Sequence, residues 1–196
     1  MRVVAGEARG RRLVAPAGRG TRPTLDRVRQ ALFNSLGSLD AVEGSAVLDL
    51  FAGSGALGIE ALSRGASTCT FVDDDRAARS AIAENLRATG LTDRASIVAD
   101  TAIRWLLGAG ARSRFDLALL DPPYSTTDEE WSALLDGLSS IVRRADGGPG
   151  IVVVESDRSL PLPGGWDALR EKGYGSTIVA ILQPPDPPVA SPAEIS

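Results

Sequence analysis

Asp49-Leu50-Phe51-Ala52-Gly53-Ser54-Gly55-Ala56-Leu57-Gly58 follows the apolar run Ala46-Val47-Leu48 and opens a segment that reads as a helix near residues 56 to 64. A glycine-rich turn between a short apolar strand and a helix is the first joint of a βαβ unit. Bare glycines let a ligand lie against the backbone at the helix N-terminus. Working outward, further strands are predicted near 68–73, 95–99, 115–120 and 150–154, with helices near 75–89, 101–108 and 128–143 between them. The first strands are short and apolar throughout, as expected when helices cover both faces, so the alternation predicts a doubly wound, parallel α/β sheet. After Glu155 the pattern changes: Trp166 to Lys172 and Ser176 to Gln183 read as two strands joined through Gly173 to Gly175, an antiparallel hairpin closing the sheet.

Upstream of the quoted turn, Arg2-Val3-Val4-Ala5 and Arg12-Leu13-Val14-Ala15 predict a hairpin turning through Gly6 to Gly10. Thr24 is placed as the N-cap of a helix whose inner face carries Val28, Ala31, Leu32, Leu36 and Leu39. The expected organisation is a basic β-hairpin extension over 1–20, a main domain over 21–183 and a tail over 184–196. Prolines at 184, 185, 187, 188 and 192 deny that tail helix or ladder, so it is expected to be disordered.

Composition removes several chemistries. The chain has 196 residues, no histidine and one cysteine, Cys69. Ser-His and Cys-His nucleophiles, imidazole-ligated metals, an internal disulfide and a thiolate cluster are therefore excluded, and no metal is expected. No apolar run approaches the roughly 18 to 20 residues that span a bilayer. A cytoplasmic, monomeric protein without membrane contact is expected. The net charge of −4 conceals an asymmetry: eight arginines against Glu7 and Asp26 leave the first 30 residues at +6, so the remainder carries −10. A cationic arm on an acidic body suits a phosphate backbone, and Arg9, Arg11 and Arg12, set among small residues, are its expected contacts.

The glycine turn admits two ligands. Gly53-Ser54-Gly55-Ala56-Leu57-Gly58 fits the dinucleotide pattern G-x-G-x-x-G, with Asp73 at the end of the second strand as the ribose acid. Asp49 tilts the choice, because a carboxylate just before the turn repels a pyrophosphate and attracts a cationic methionyl ammonium. Phe51-Ala52-Gly53-Ser54-Gly55 resembles the first motif of class I S-adenosylmethionine methyltransferases. Asp73 is then expected at the ribose, with Asp74 and Asp75 beside it as substitutes or helix caps. Asp100, after Ser96-Ile97-Val98-Ala99, is expected either at the adenine amino group or as an N-cap.

Phe115-Asp116-Leu117-Ala118-Leu119-Leu120 runs directly into Asp121-Pro122-Pro123-Tyr124. Two prolines stiffen the turn and remove two amide donors, so it presents acceptors with little freedom. If Asp121 and the Pro122 carbonyl each accept one N–H of a nucleobase amino group, its nitrogen is drawn toward tetrahedral geometry and its lone pair can face a methyl donor. Tyr124 would stack on the extruded base. In isolation a rigid turn explains the tetrapeptide equally well; at the end of the fourth strand, opposite the glycine turn, the catalytic reading leads.

Taken together these residues resemble the RsmD-type guanine-N2 methyltransferases of small-subunit (16S) ribosomal RNA. The likeness extends to about Gln183 and rests on Arg2-Val3-Val4-Ala5-Gly6 with Arg9-Gly10-Arg11, Asp49 to Gly58, Glu60 to Ala66, Asp121 to Tyr124 and Val154-Glu155. Its discriminating block is Arg22-Pro23-Thr24-Leu25-Asp26-Arg27-Val28-Arg29-Gln30-Ala31-Leu32-Phe33-Asn34. The resemblance implies an α/β, Rossmann-like class I methyltransferase fold with a mostly parallel seven-stranded sheet, a C-terminal antiparallel hairpin and a small N-terminal β-hairpin extension. It also implies S-adenosyl-L-methionine as cofactor, held by Asp49, Phe51, Ala52, Gly53, Gly55, Asp73 and Asp100. Asp121, Pro122 and Tyr124 would be catalytic, with 16S rRNA or the small ribosomal subunit as partner. Arg22, Arg27 and Arg29 join the arm as expected RNA contacts. The loop alone also allows a DNA adenine-N6 or cytosine-N4 methyltransferase, and a non-catalytic RNA-binding assembly factor is a further alternative.

Overall fold

Ala46–Leu50 (β1) and Leu117–Leu120 (β4) are too apolar to leave a face in water; with Thr68–Val72 (β2) and the partly exposed edge strand Ala95–Val98 (β3) they form, in the computed structural model, the middle and one flank of a single sheet. The structure describes residues 1–16, 26–144 and 146–186. Ile151–Ser156 (β5), Asp167–Tyr174 (β6) and Thr177–Gln183 (β7) complete seven strands in the order β3-β2-β1-β4-β5-β7-β6. The first five are parallel and β7 runs antiparallel between β5 and β6. Strand order reverses between β1 and β4, so the crevice beyond their carboxyl ends is where this architecture binds ligands.

Side chains alternate across the sheet and build two cores. Val47, Phe71, Leu117, Leu119 and Val153 face Asp26–Gly37 (α1), Ala56–Ser63 (α2) and Arg76–Thr89 (α3), which contribute Phe33, Leu36, Ile59, Leu62, Ile82 and Leu86. On the other side Leu48, Leu50, Val72, Leu120 and Val154 meet Trp105 and Leu106 of Ala102–Leu107 (α4) and Trp131, Leu134, Leu135 and Leu138 of Asp128–Ile141 (α5). Local chemistry sets the helix starts. Asp75 caps α3 by accepting the Ala77 amide at 2.8 Å, and Thr127 with Glu130 forms a capping box on α5. No helix among the described residues is long and apolar enough to cross a membrane.

Several boundaries differ from the sequence expectation. The fourth strand starts at Leu117, because the Asp116 carboxylate turns inward to accept the Ala46 amide at 2.8 Å. β5 runs on to Ser156 where antiparallel pairing with β7 continues the ladder, and this carries Glu155 into the sheet. α5 ends at Ile141, since Val142 and Arg143 leave it to bridge Phe115 and Pro149. In the C-terminal hairpin Gly173 belongs to β6, and the turn falls instead at Gly175, with φ of 67°.

The N-terminal extension closes on itself but is not two strands. Its ladder is reduced to one bridge, Arg2 to Arg12. The amides of Val4 and Ala5 are drawn away to the Glu60 carboxylate on α2, at 2.7 and 3.0 Å, and the Glu7 amide to the Ser63 carbonyl at 2.9 Å. Thr24 lies outside the described residues, as does the tail beyond Asp186.

Candidate active site

Beyond β1 the backbone enters left-handed conformations at Phe51 (φ 58°), Gly53 (57°) and Gly55 (74°). A phenylalanine held at positive φ is strained, and such strain is kept where the surroundings enforce it. Here the Ala52 amide is tied to the Val72 carbonyl at 3.3 Å and the Gly55 amide to the Ala52 carbonyl at 2.7 Å. The two glycines do different work. A Cβ on Gly53 would meet nothing nearer than the Phe51 carbonyl at 3.8 Å, so its bare face opens outward; one on Gly55 would stand 3.2 Å from Ile82 and Phe71. Gly53 exposes backbone to a ligand, whereas Gly55 lets α2 close on β2 and α3.

The turn borders a cleft of about 580 Å³ lined by Phe51, Gly53, Val72, Asp73, Asp74, Asp100 to Ala102 and Asp121 to Pro123. It lies outside the carboxyl ends of β1, β2, β3 and β4, where strand order reverses. Of the residues expected from sequence, Phe51, Gly53, Asp73, Asp100, Asp121 and Pro122 meet there. Asp49, Ala52, Gly55 and Tyr124 are not part of that lining. Asp49 is 2% exposed beneath the turn and accepts the Gly58 amide at 2.9 Å, so it braces the start of α2 instead of offering a free carboxylate to a ligand. Ala52 is buried in the core beside α2.

Asp73 holds the turn in place from the neighbouring strand. One oxygen accepts the Gly53 amide at 2.8 Å and the other the Asp75 amide at 2.9 Å. Each oxygen keeps a further lone pair, so the carboxylate can still accept a hydroxyl from the cleft. Asp75 serves as a cap. Asp100 is not the cap of α4, a position that falls to Thr101; its carboxylate accepts the Thr101 amide at 2.8 Å and pairs with Arg104.

Electrostatics set the chemistry this cleft accepts. Burial pushes the Asp49 carboxyl well above its ordinary pKa of 3.8; the Gly58 amide partly offsets this, and the charges of Asp121 and Asp73 add to it. Asp121 is raised to about 7, first by burial and then by the Glu155 charge. The charges of Asp121 and Asp73 raise the cost of ionising Asp49, and that of Glu155 the cost of ionising Asp121, so a positive sulfonium or ammonium in the cleft is favoured. The bare Gly53 backbone, the Asp73 acceptor and this negative field fit S-adenosylmethionine, whereas a pyrophosphate would be repelled.

The catalytic candidate leaves β4 directly. Pro122 is buried, and the Pro123 carbonyl is occupied by the Thr126 amide at 3.0 Å and hydroxyl at 2.7 Å. The Tyr124 hydroxyl shares a hydrogen bond with Thr177 Oγ1 at 2.8 Å, with the residue 39% exposed. The first residue of β7 thus anchors the ring of the loop. Sequence reasoning did not single out Thr177, which follows a glycine turn and carries no pattern of its own. Glu155 stands in the sequence reading only as the end of the parallel pattern and within the family likeness, although a carboxylate ending the apolar run Ile151 to Val154 is itself a signal.

Among the expected RNA contacts Arg9, Arg11, Arg12 and Arg27 are exposed, and Arg22 lies outside the described residues. Arg29 is corrected. Its side chain is 0% exposed, donates to the Arg2 carbonyl, pairs with Asp26 at 2.8 Å and approaches Glu60 at 3.5 Å. It is a strut joining α1, α2 and the N-terminal loop, and cannot reach a phosphate as placed.

Residues 1–183 match the family model described as conserved hypothetical protein 95. YlbH of Bacillus subtilis is 42% identical over 187 residues, 93% of this chain and 98% of that protein. The ribosomal RNA small subunit methyltransferase D of Escherichia coli K12 is 36% identical over 187 residues, 93% of this chain and 89% of its own length. The solved structure of Escherichia coli yhhF superposes with a TM-score of 0.81 at 34% identity, covering 95% of this chain and 99% of that one.

Proposed function

The chain belongs to the conserved hypothetical protein 95 family, and from that premise we propose that it transfers a methyl group from S-adenosyl-L-methionine to the exocyclic N2 amino group of a guanine in small-subunit (16S) ribosomal RNA. One observation carries the reading: Asp121-Pro122-Pro123 forms one wall of the same cleft whose other wall is Gly53 and Asp73. Relatives named as small-subunit rRNA methyltransferases that align over most of their own length support the rRNA substrate.

The cofactor supplies a methyl already activated on a positively charged sulfur, so the protein's work is to bind, orient and exclude. Gly53 offers unobstructed backbone, Asp73 accepts a ribose hydroxyl, and Asp49 contributes charge from beneath the turn. The Asp121 carboxylate accepts one N–H of the guanine amino group and the Pro122 carbonyl the other, which turns the nitrogen lone pair toward the methyl. With the cofactor bound, transfer of its methyl would exchange the carbon–sulfur bond for a carbon–nitrogen bond. The surplus proton on nitrogen passes to an Asp121 carboxylate oxygen, whose raised pKa suits it to receive a proton near neutrality. Tyr124, anchored at Thr177, flanks the base. Arg9, Arg11, Arg12 and Arg27 attract the RNA backbone without reading sequence. Orientation and fixed dipoles account for the acceleration.

Asp121→Ala tests the assignment. Transfer of labelled methyl to small ribosomal subunits is expected to fall by at least about 10²- to 10³-fold, the scale of losing one fixed transition-state partner. Cofactor affinity by calorimetry should stay within about threefold of wild type, because Gly53 and Asp73 remain. A variant that transfers at the wild-type rate would remove Asp121 from the chemistry.

A further inference from the structure

Glu155 stands immediately beside the catalytic loop, and the mechanism above gives it no task. β4 and β5 pair in parallel as far as Leu120 opposite Val154, so Asp121 and Glu155 are the residues that follow directly on the last paired positions. Neighbouring strands lie about 4.8 Å apart. Both residues share the parity of Leu119 and Val153, which pack in the same core. Glu155 is 8% exposed, and its charge acts on Asp121. Two carboxylates this close in a partly dry site repel each other, an arrangement that is costly unless something donor-rich serves both.

The three amino-bearing bases differ at the ring atom next to the amino carbon. Guanine places N1–H there, so its edge presents a ring donor beside two amino donors. Adenine has the N1 lone pair beside its amino group, and cytosine the N3 lone pair. A second carboxylate next to the one that holds the amino group is therefore matched by guanine and opposed, acceptor against acceptor, by adenine and cytosine. Resting on the guanine reading, we propose that Glu155 accepts the ring N1–H of the base whose amino group faces Asp121, and so sets the choice of guanine. A carboxylate has about four lone-pair sites, so this role coexists with the interaction Glu155 makes within the chain.

Position and chemistry fit together. Asp121 and the Pro122 carbonyl take the two amino hydrogens, and the remaining donor on that edge points toward the adjacent strand, where β5 ends. Extension of β5 as far as Ser156, through its antiparallel pairing with β7, keeps Glu155 on the ladder. A base reader held on a strand is more precisely placed than one on a loop. Rejection here works through an unpaired acceptor as well as through a matched donor, which gives larger discrimination than shape alone.

The test uses an rRNA fragment carrying either guanine or 2-aminopurine at the position where label maps. Both bases have the 2-amino group, but 2-aminopurine has a lone pair at N1. Wild-type protein should favour guanine in kcat/KM by at least about 100-fold. Glu155→Gln, whose amide can donate to that lone pair, should reduce this preference by about tenfold or more, through a loss on guanine and a gain on 2-aminopurine. Glu155→Asp should retain part of it. Equal losses on both bases, or an unchanged ratio, would overturn the role. So would wild-type protein that methylates the two bases equally, a result that requires no variant to fold. If wild-type protein methylates neither base while binding the cofactor, the failure lies in the guanine-N2 reading itself and the proposal falls with it.

Discussion

In the proposed mechanism Asp121 takes up the amino proton and must therefore start as the carboxylate, yet burial and the neighbouring Glu155 raise its pKa from 3.8 to about 7. For the free enzyme this predicts that kcat/KM falls with acid below about pH 7 and levels off above it. A profile flat from pH 5.5 to 8.5 would contradict an essential carboxylate held at so high a pKa. The same shift has a stability consequence with a definite sign. The folded-state pKa lies above the unfolded value, so the folded protein holds a proton that the unfolded chain releases, and stability is lost as pH rises through about 7. Asp121→Asn removes that loss; its melting temperature relative to wild type should therefore increase between pH 5 and pH 8. At this scale the sequence was legible where chemistry is local. The Asp121 loop, Gly53 and Asp73 were all readable, because a strand end followed by glycine or proline leaves few alternatives. Arg29 was not. It sits between Val28 and Gln30 on a helix with an apolar stripe, and only the folded contacts with Asp26, Glu60 and the Arg2 carbonyl reveal a buried cation.

Elements supply what single residues cannot. The β6–β7 hairpin supplies an outer edge whose strand β6 is exposed along nearly all its length, while β7 packs against β5. It meets the proposed catalytic loop at Thr177, whose hydroxyl shares a hydrogen bond with that of Tyr124. Thr177→Val keeps the shape and removes the bond. It is expected to lower kcat several-fold with little change in cofactor affinity, and Thr177→Ser should restore most of the rate. Wild-type kinetics in the valine variant would mean that the hairpin merely caps the sheet. The hairpin itself was readable from its alternation and glycine turn, but its register was not, because pairing across a turn is decided by which residues bury against β5. The same limit explains the N-terminal extension. Alternating residues suggested two strands, and the pull of Glu60 and Ser63 on its amides replaced the ladder with a looped contact.

Across the whole molecule, the arrangement follows from covering both faces of five parallel strands. Leu117 to Leu120 are fully buried, as are Val47, Leu48 and Leu50, and apolar runs of that kind were sufficient to predict the doubly wound sheet. The crevice at the reversal of strand order then collects Gly53 from the turn after β1, Asp73 from the end of β2 and Asp121 from the end of β4, while Glu155 stands on β5, the strand next to β4. Spatial order across the sheet differs from order along the chain, which is why Glu155 stayed inconspicuous until β4 and β5 were seen side by side. Charge is partitioned on the same scale: Arg9, Arg11 and Arg12 of the N-terminal arm face solvent, whereas Asp73, Asp74, Asp100 and Asp121 line the cleft. Methylation of guanine N2 in small-subunit rRNA by this cleft, as proposed, is tested most directly by nucleoside mapping. The protein is incubated with labelled S-adenosylmethionine and either small ribosomal subunits, naked small-subunit rRNA or duplex DNA, and the nucleic acid is digested and separated. Label in N2-methylguanosine from ribosomal RNA, and none in DNA, is the predicted result; label in N6-methyladenosine or N4-methylcytosine, or in DNA alone, would contradict it.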